Sequence, residues 1–240
     1  DEQAIFKRLV ENYQMPVTHL TNFLNVVDGG PELFLERNLL RFPAPLNVSG
    51  AYGSAVHKAI EEIITYPRFY GGEKPTLEHV LGVFDHTLSR ARLPQEDDVR
   101  QRDRGHALLE KYYTERGNFF LHTDQVEVDM KNEGVVVEDA HITGKLDFLR
   151  IENNSVHVRD FKTGKAFDSW DHAKMDYEKV KLHNQKLQLI FYKILLENSN
   201  RFKDLSVNSL VLEYVEGNDD VSVVELSLEP STEDVERTKK

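Results

Sequence analysis

The chain has no cysteine. Disulfides, thiolate zinc sites and cysteine-held iron–sulfur clusters are thereby excluded, and the composition fits a reducing compartment, so the cytoplasm is the expected location. No apolar run approaches the roughly 20 residues that span a bilayer, and no leader-like segment opens the chain, so no membrane partner is expected. Positive charge is also short: 30 Lys and Arg stand against 41 Asp and Glu, a formal net charge of −11. A nucleic-acid partner normally requires a basic surface. The balance therefore weighs against one, unless a basic groove is local or the acids gather around a cation. The first residue is Asp1 rather than Met, and the last ten read STEDVERTKK, a helix-like run. The expectation is a piece of a longer protein.

What is present suffices for a sizeable core, since 40% of the 240 residues are hydrophobic. The first part, to about Arg116, reads as helical. Ala4, Ile5, Leu9 and Val10 have helical spacing, Thr18 is placed to cap a short helix through Asn25, and Pro31 to open the next. SGAYGSAVHKAIEEIITY, residues 49–66, predicts a helix with Val56, Ile60, Ile63 and Ile64 on one stripe. Thr76 caps another through about Arg90, and Leu108, Leu109, Tyr112 and Tyr113 mark a further one, after the polar connector RLPQEDD. Near Phe119 the texture changes. Residues 124–130, 134–138, 142–151 and 156–163 read as strands. A polar loop over 166–180 leads to an apolar helix from about Leu182 to Glu197, and two strands follow over 206–216 and 220–229. The fold class expected is α/β: one domain over 1–240, with a mixed central sheet flanked by helices. Its mainly helical section, 1–118, packs on a sheet-and-helix core, 119–230.

The most informative stretch is ITGKLDFLRIENNSVHVRDFKTGK, Ile142 to Lys165. Asn153-Asn154 suits a two-residue hairpin turn because Asn tolerates positive φ. With the turn there, Ile151 faces Val156, Leu149 faces Val158, and Asp147 faces Asp160. Alternation puts these pairs on one sheet face, with Lys162 beyond them. Facing carboxylates destabilise a sheet unless they share a proton or hold a cation. A divalent ion suits them, since hard cations take carboxylate oxygens together with water and phosphate. Such an ion can activate water and offset charge on a phosphoryl group. An ordinary surface pair of Asp160 and Lys162 is the other reading. The apolar Val156 and Val158 on the same face, and Asp147 across from Asp160, speak for the site. In this register Lys145 faces Lys162, a repulsion that a bound phosphate, a bulge or a frayed strand end would relieve.

At this point the order of motifs resembles the RecB-type branch of the PD-(D/E)xK nuclease superfamily. GSAVHKAIEE, Gly53 to Glu62, looks like that family's early helix, whose histidine is a metal ligand; this maps to His57. GKLDF, Gly144 to Phe148, looks like its G-x-x-D motif, with Asp147 as ligand. RDFKTGK, Arg159 to Lys165, looks like its (D/E)-x-K motif, making Asp160 a ligand and Lys162 the catalytic lysine. The Phe161 carbonyl would be a further ligand. QLIFY, Gln188 to Tyr192, looks like the Q-x-x-x-Y motif. The resemblance implies a restriction-endonuclease-like core, Mg²⁺ or Mn²⁺ as cofactor, DNA as substrate, and exonuclease action in repair or recombination. It also implies a helicase domain in the same longer chain or complex. Lacking cysteine, the chain looks like the cluster-free type. The alternative is an inactive nuclease-like module that binds DNA or a partner.

Several residues carry two readings. His57 is a ligand or a packed helix residue, and the helix-interior Gly53 implies close approach of that helix to the sheet. Glu127 is a solvent-facing charge or a neighbour of the metal. Gln188 and Tyr192, one turn apart on a buried helix, need partners, either structural or at the scissile region. Lys165 is a phosphate contact or a solvated charge, and Trp170 is packed against the domain or stacks on a base.

Overall fold

A computed structural model describes residues 2–11, 13–26, 29–43, 47–171, 174–218 and 223–240. It forms three layers. The central sheet has five strands: β2 (Gln125–Asp129), β5 (Lys145–Glu152), β6 (Ser155–Lys162), β7 (Ser206–Tyr214) and β8 (Val224–Leu228), in that spatial order. Only β6 and β7 run parallel; the other neighbours are antiparallel. That connection needs a crossover, which the helix α7 (Asp176–Glu197) supplies on one face. The opposite face carries α4 (Val48–Phe69), α5 (Leu77–Ser89) and α6 (Gln95–Arg116).

Each face has its own core. On the α7 side Leu149, Val156, Val158, Leu210, Leu212 and Tyr214 pack with Leu189, Ile190 and Leu195. On the other side Phe148 and Phe161 pack with Val56, Ile60, Phe84 and Leu109. Alternate residues of the central strands thus feed opposite cores, which accounts for their near-continuous hydrophobicity. The result is the expected mixed α/β sandwich, consistent with a restriction-endonuclease-like core.

The N-terminal part adds α1 (Glu2–Glu11), β1 (Met15–Pro16), α2 (Val17–Leu24) and α3 (Gly30–Phe34), the last running into a π-helical turn over Leu35–Leu39. β1 joins β4 (Ala140–Thr143) and β3 (Val136–Val137) in a small sheet. The chain ends in α8 (Thr232–Lys239), capped by Ser231.

Several boundaries differ from the sequence reading. Thr18 does not cap α2: the helix begins at Val17, after Pro16. The side chains of Ala4 and Ile5 lie outside the described residues, and Leu9 and Val10 are exposed. The polar RLPQEDD connector is helical from Gln95, because Pro94 fits the position before a helix and Glu96, Asp97 and Asp98 suit its positive end. Residues 142–151 are two strands broken at Gly144, not one. α7 starts six residues before Leu182, its polar first turns closed by Glu178 bonding back to the amide of Met175. Part of the strand expected over 220–229 lies outside the described residues. Asn47 and Thr76 cap α4 and α5 by accepting from Gly50 N and His79 N.

Candidate metal centre

The site is built where β5 loses its regular pairing with both of its neighbours at one level, while β6 stays paired with β7. Asn153 and Asn154 take φ of 48° and 68°, as a tight hairpin turn requires. Their turn sets Ile151 opposite Val156 and Leu149 opposite Val158. The ladder then stops at Phe148 and Arg159, one step before Asp147 and Asp160. Two adjacent carboxylates repel, and here the strands part instead of pairing. The Oδ2 of Asp147 accepts from Phe161 N at 2.9 Å, standing in for a strand carbonyl. The expectation that Asp147 and Asp160 stand side by side on the α7 face needs correction: Asp147 turns into the seam between β5 and β6, while Asp160 faces α7. Nor do Lys145 and Lys162 face each other, since no pairing extends to them; Lys145 turns to Glu127 across the sheet and Lys162 to Asp160.

β2 is irregular at the same level. Glu127 has φ of 53°, a left-handed conformation that costs a non-glycine residue roughly 1–3 kcal/mol. The β2–β5 ladder pairs Val126 with Phe148 and Val128 with Leu146, skipping Glu127 and Asp147. On either side of that gap the faces reverse. Val126 and Phe148 feed the core under α4, whereas Val128 and Leu146 feed the core under α7. Each strand therefore holds one residue more than simple alternation uses, in the manner of matched bulges.

From above, α4 delivers His57, whose Nδ1 lies 3.6 Å from Asp147 Oδ2. Gly53, one turn earlier, lets α4 approach: a Cβ there would stand 3.2 Å from Thr163 Oγ1. Donor atoms of His57, Glu127 and Asp147 all lie within 4.8 Å of one another. A cleft of about 480 Å³ between α4 and Thr163 opens onto His57 and Glu127.

Below, the α7 side chains hold Asp160, which is almost fully buried. Its Oδ1 accepts from Gln188 Nε2 at 2.8 Å and from Tyr192 Oη at 3.2 Å. Gln188 Nε2 also donates to Tyr192 Oη at 2.7 Å, and Gln188 Oε1 accepts from Lys162 Nζ at 2.8 Å. Lys162 Nζ stands 2.5 Å from Asp160 Oδ2, so the ammonium is the partner of that buried oxygen.

The electrostatics match a cluster short of positive charge. Burial, then the Asp160 charge, push the Asp147 carboxyl well above its ordinary value; Glu127 adds to this, while Lys162 and the Phe161 amide oppose it. Burial and Lys162 lower the His57 imidazole, against the pull of Asp160 and Glu127 and a hydrogen bond to the Phe161 backbone. A lowered imidazole is neutral near pH 7, the form that ligates metal. Burial, followed by Asp160 and Asp147, raises the Tyr192 hydroxyl far up, so it remains a donor. A divalent cation fits this set. The donors are hard oxygens and a neutral imidazole, and those of His57, Glu127 and Asp147 already converge within 4.8 Å of one another.

The structure thus brings His57, Glu127 and Asp147 together, with Asp160, Lys162, Gln188 and Tyr192 as a linked network beside them. Glu127, a neighbour in the sequence reading, is a member in its own right. Its signal was hidden, because V-E-V reads as an ordinary half-exposed strand. Lys165 binds Glu178 at 2.7 Å, and the Trp170 indole donates to Ser227 O at 2.7 Å while packing on the core; neither joins the centre.

A family model of the PD-(D/E)XK nuclease superfamily matches residues 24–238. The chain belongs to the PD-(D/E)XK nuclease superfamily. Among solved structures, the crystal structure of SSO0001 is similar over 85% of this chain and 78% of that one, at 18% identity and a TM-score of 0.31. No curated protein matches the chain.

Proposed function

We propose that this chain is a metal-dependent DNA nuclease of the RecB type. On this reading it acts from DNA ends in repair or recombination, within the cytoplasm and beside a helicase domain of the same longer chain or complex. One observation carries the proposal: Glu127, Asp147 and Asp160 occupy the same level of three adjacent strands, with His57 above and Lys162 alongside. Structural ion pairs do not need three acids in a row, one of them in a strained conformation. No described helix is long and apolar enough to cross a membrane.

His57, Glu127, Asp147, Asp160 and the Phe161 carbonyl would hold Mg²⁺ or Mn²⁺. When bound, the cation supplies charge for the phosphoryl oxygens and lowers the pKa of water. The chain's own residues do the positioning. Gln188 and Tyr192 fix the Asp160 carboxylate by hydrogen bonds to Oδ1. Gln188 and Asp160 take two of the Lys162 ammonium's donors, and the third N–H is the one that would turn toward a phosphate oxygen or the attacking water. Because Lys162 carries a fixed positive charge in a partly buried site, its stabilisation of developing negative charge is greater than in bulk water.

End-labelled DNA incubated with Mg²⁺, Mn²⁺ or chelator tests the reading. Cleavage in the first two and none in the third is expected, with label released as short products if action is from ends. Asp160→Ala and Lys162→Ala should each lower the rate by about 10²-fold or more while leaving the circular dichroism spectrum unchanged. Full activity in either variant refutes the assignment. Metal-independent binding of DNA with no cleavage would instead indicate the inactive, DNA-holding module.

A further inference from the structure

A second cationic feature lies beyond the metal centre, on the same face of α7 as Gln188. Lys181 stands one and two turns before Gln185 and Gln188, so the three share a helix face. Together with Lys162, Asn184, Thr18 and Thr21 they line a cleft of about 200 Å³ between α2 and α7. Gln185 is held by Tyr214, whose hydroxyl donates to its Oε1 at 2.7 Å. Lys162 is spoken for by Asp160 and Gln188, and Lys165 by Glu178. Lys181 is different. Among the described residues no carboxylate forms an ion pair with it, and its Nζ sits 5.5 Å from the centroid of the Phe167 ring. That ring fixes the ammonium's place without neutralising it. Burial lowers the Lys181 ammonium, and so does repulsion from Lys162 and Lys165; Glu178 and Glu216 oppose this only in part. In a chain with a net charge of −11, a half-buried lysine held among other lysines is an arrangement that an anion would relieve.

We infer that the α2–α7 cleft is a backbone subsite in which Lys181 binds a phosphate of the nucleic-acid strand next to the one at Lys162. The inference rests on the nuclease reading and extends it by giving the strand a path along α7, away from the cleft at His57. Thr18, Thr21 and Asn184 offer uncharged hydrogen-bonding groups there, and such contacts position a strand without reading its sequence.

The test is binding rather than cleavage. Fluorescence anisotropy of a labelled single-stranded oligonucleotide is measured in chelator over a series of salt concentrations. Loss of one phosphate contact from a single strand should make the plot of log K against log salt shallower by about 0.7. Lys181→Gln is expected to weaken binding and flatten that plot, with Lys181→Arg retaining both. Lys179→Gln, on the same helix but paired with Asp176, should leave both as in the wild type. A wild-type slope in Lys181→Gln, in a variant that melts like the wild type, overturns the subsite and leaves the nuclease reading standing. A wild-type protein that binds no DNA in chelator but cleaves it with Mn²⁺ overturns the subsite alone, and one that does neither overturns both. Equal losses in Lys179→Gln and Lys181→Gln would mean diffuse attraction and also overturn the subsite.

Discussion

Glu127 takes a left-handed backbone conformation inside a strand that its sequence gives no reason to expect. A left-handed glutamate inside a strand is tolerated only where surrounding structure holds it, and such outliers gather at functional sites. Here the outlier places a carboxylate beside Asp147 and His57. Glu127→Gly, which removes the Cβ conflict, is expected to leave the fold as stable as the wild type or firmer by about 1 kcal/mol. The same change should weaken Mn²⁺ binding by calorimetry. A large loss of stability with unchanged metal affinity would show that the glutamate is structural. Nothing in DQVEVDM distinguishes this residue from any alternating strand, because the signal lies in the partner strand and the helix above. Lys181 is hidden for a similar reason: it sits at the end of a polar run that reads as loop, and only folding turns it toward Lys162.

At the scale of elements, the site depends on where strands stop pairing and how close a helix can come. The hairpin was legible because Asn153-Asn154 fixes both turn and register, and that register holds as far as Phe148 and Arg159, one step short of Asp147 and Asp160. Whether the strands remain paired at that level was not legible, since this depends on the charges meeting there. The helix over α4 was legible from its apolar stripe, and Gly53 announced the close approach. Polar first turns hid the starts of α6 and α7. The central sheet is tied to the segment ahead of β2 by Asp124, which is fully buried and accepts from both Arg150 Nε and Nη2 at 2.6 Å and from Leu121 N at 2.7 Å. Truncating one partner of such a buried pair leaves the other charge uncompensated. Asp124→Ala should cost about 3–5 kcal/mol in urea unfolding. A change below about 1 kcal/mol would mean the pair is dispensable.

For the whole molecule, excess negative charge and a crowded acidic centre couple stability to cation and pH. Burial and Asp160 raise the folded-state value of Asp147 above the ordinary 3.8. Its contribution to stability is therefore fully present below that unfolded value, and is lost as pH rises through the raised folded one. Binding a divalent cation requires the ionised form, so its stabilising effect should grow over the same rise. At roughly a hundred-fold excess over Kd the gain is about 2.7 kcal/mol. Thermal melts with and without Mn²⁺ should accordingly diverge from acid to neutral pH; equal melts at every pH would rule out a cation at Asp147. The reversal of faces around Glu127 and Asp147 has one more implication. Were both residues absent, Val126 and Phe148 would stand directly beside Val128 and Leu146 as consecutive pairs, in the unbroken in–out rhythm of a plain antiparallel ribbon. The hydrophobic framework is thus complete without them, and the acidic pair is an accessory that the ribbon carries rather than a part it is made from.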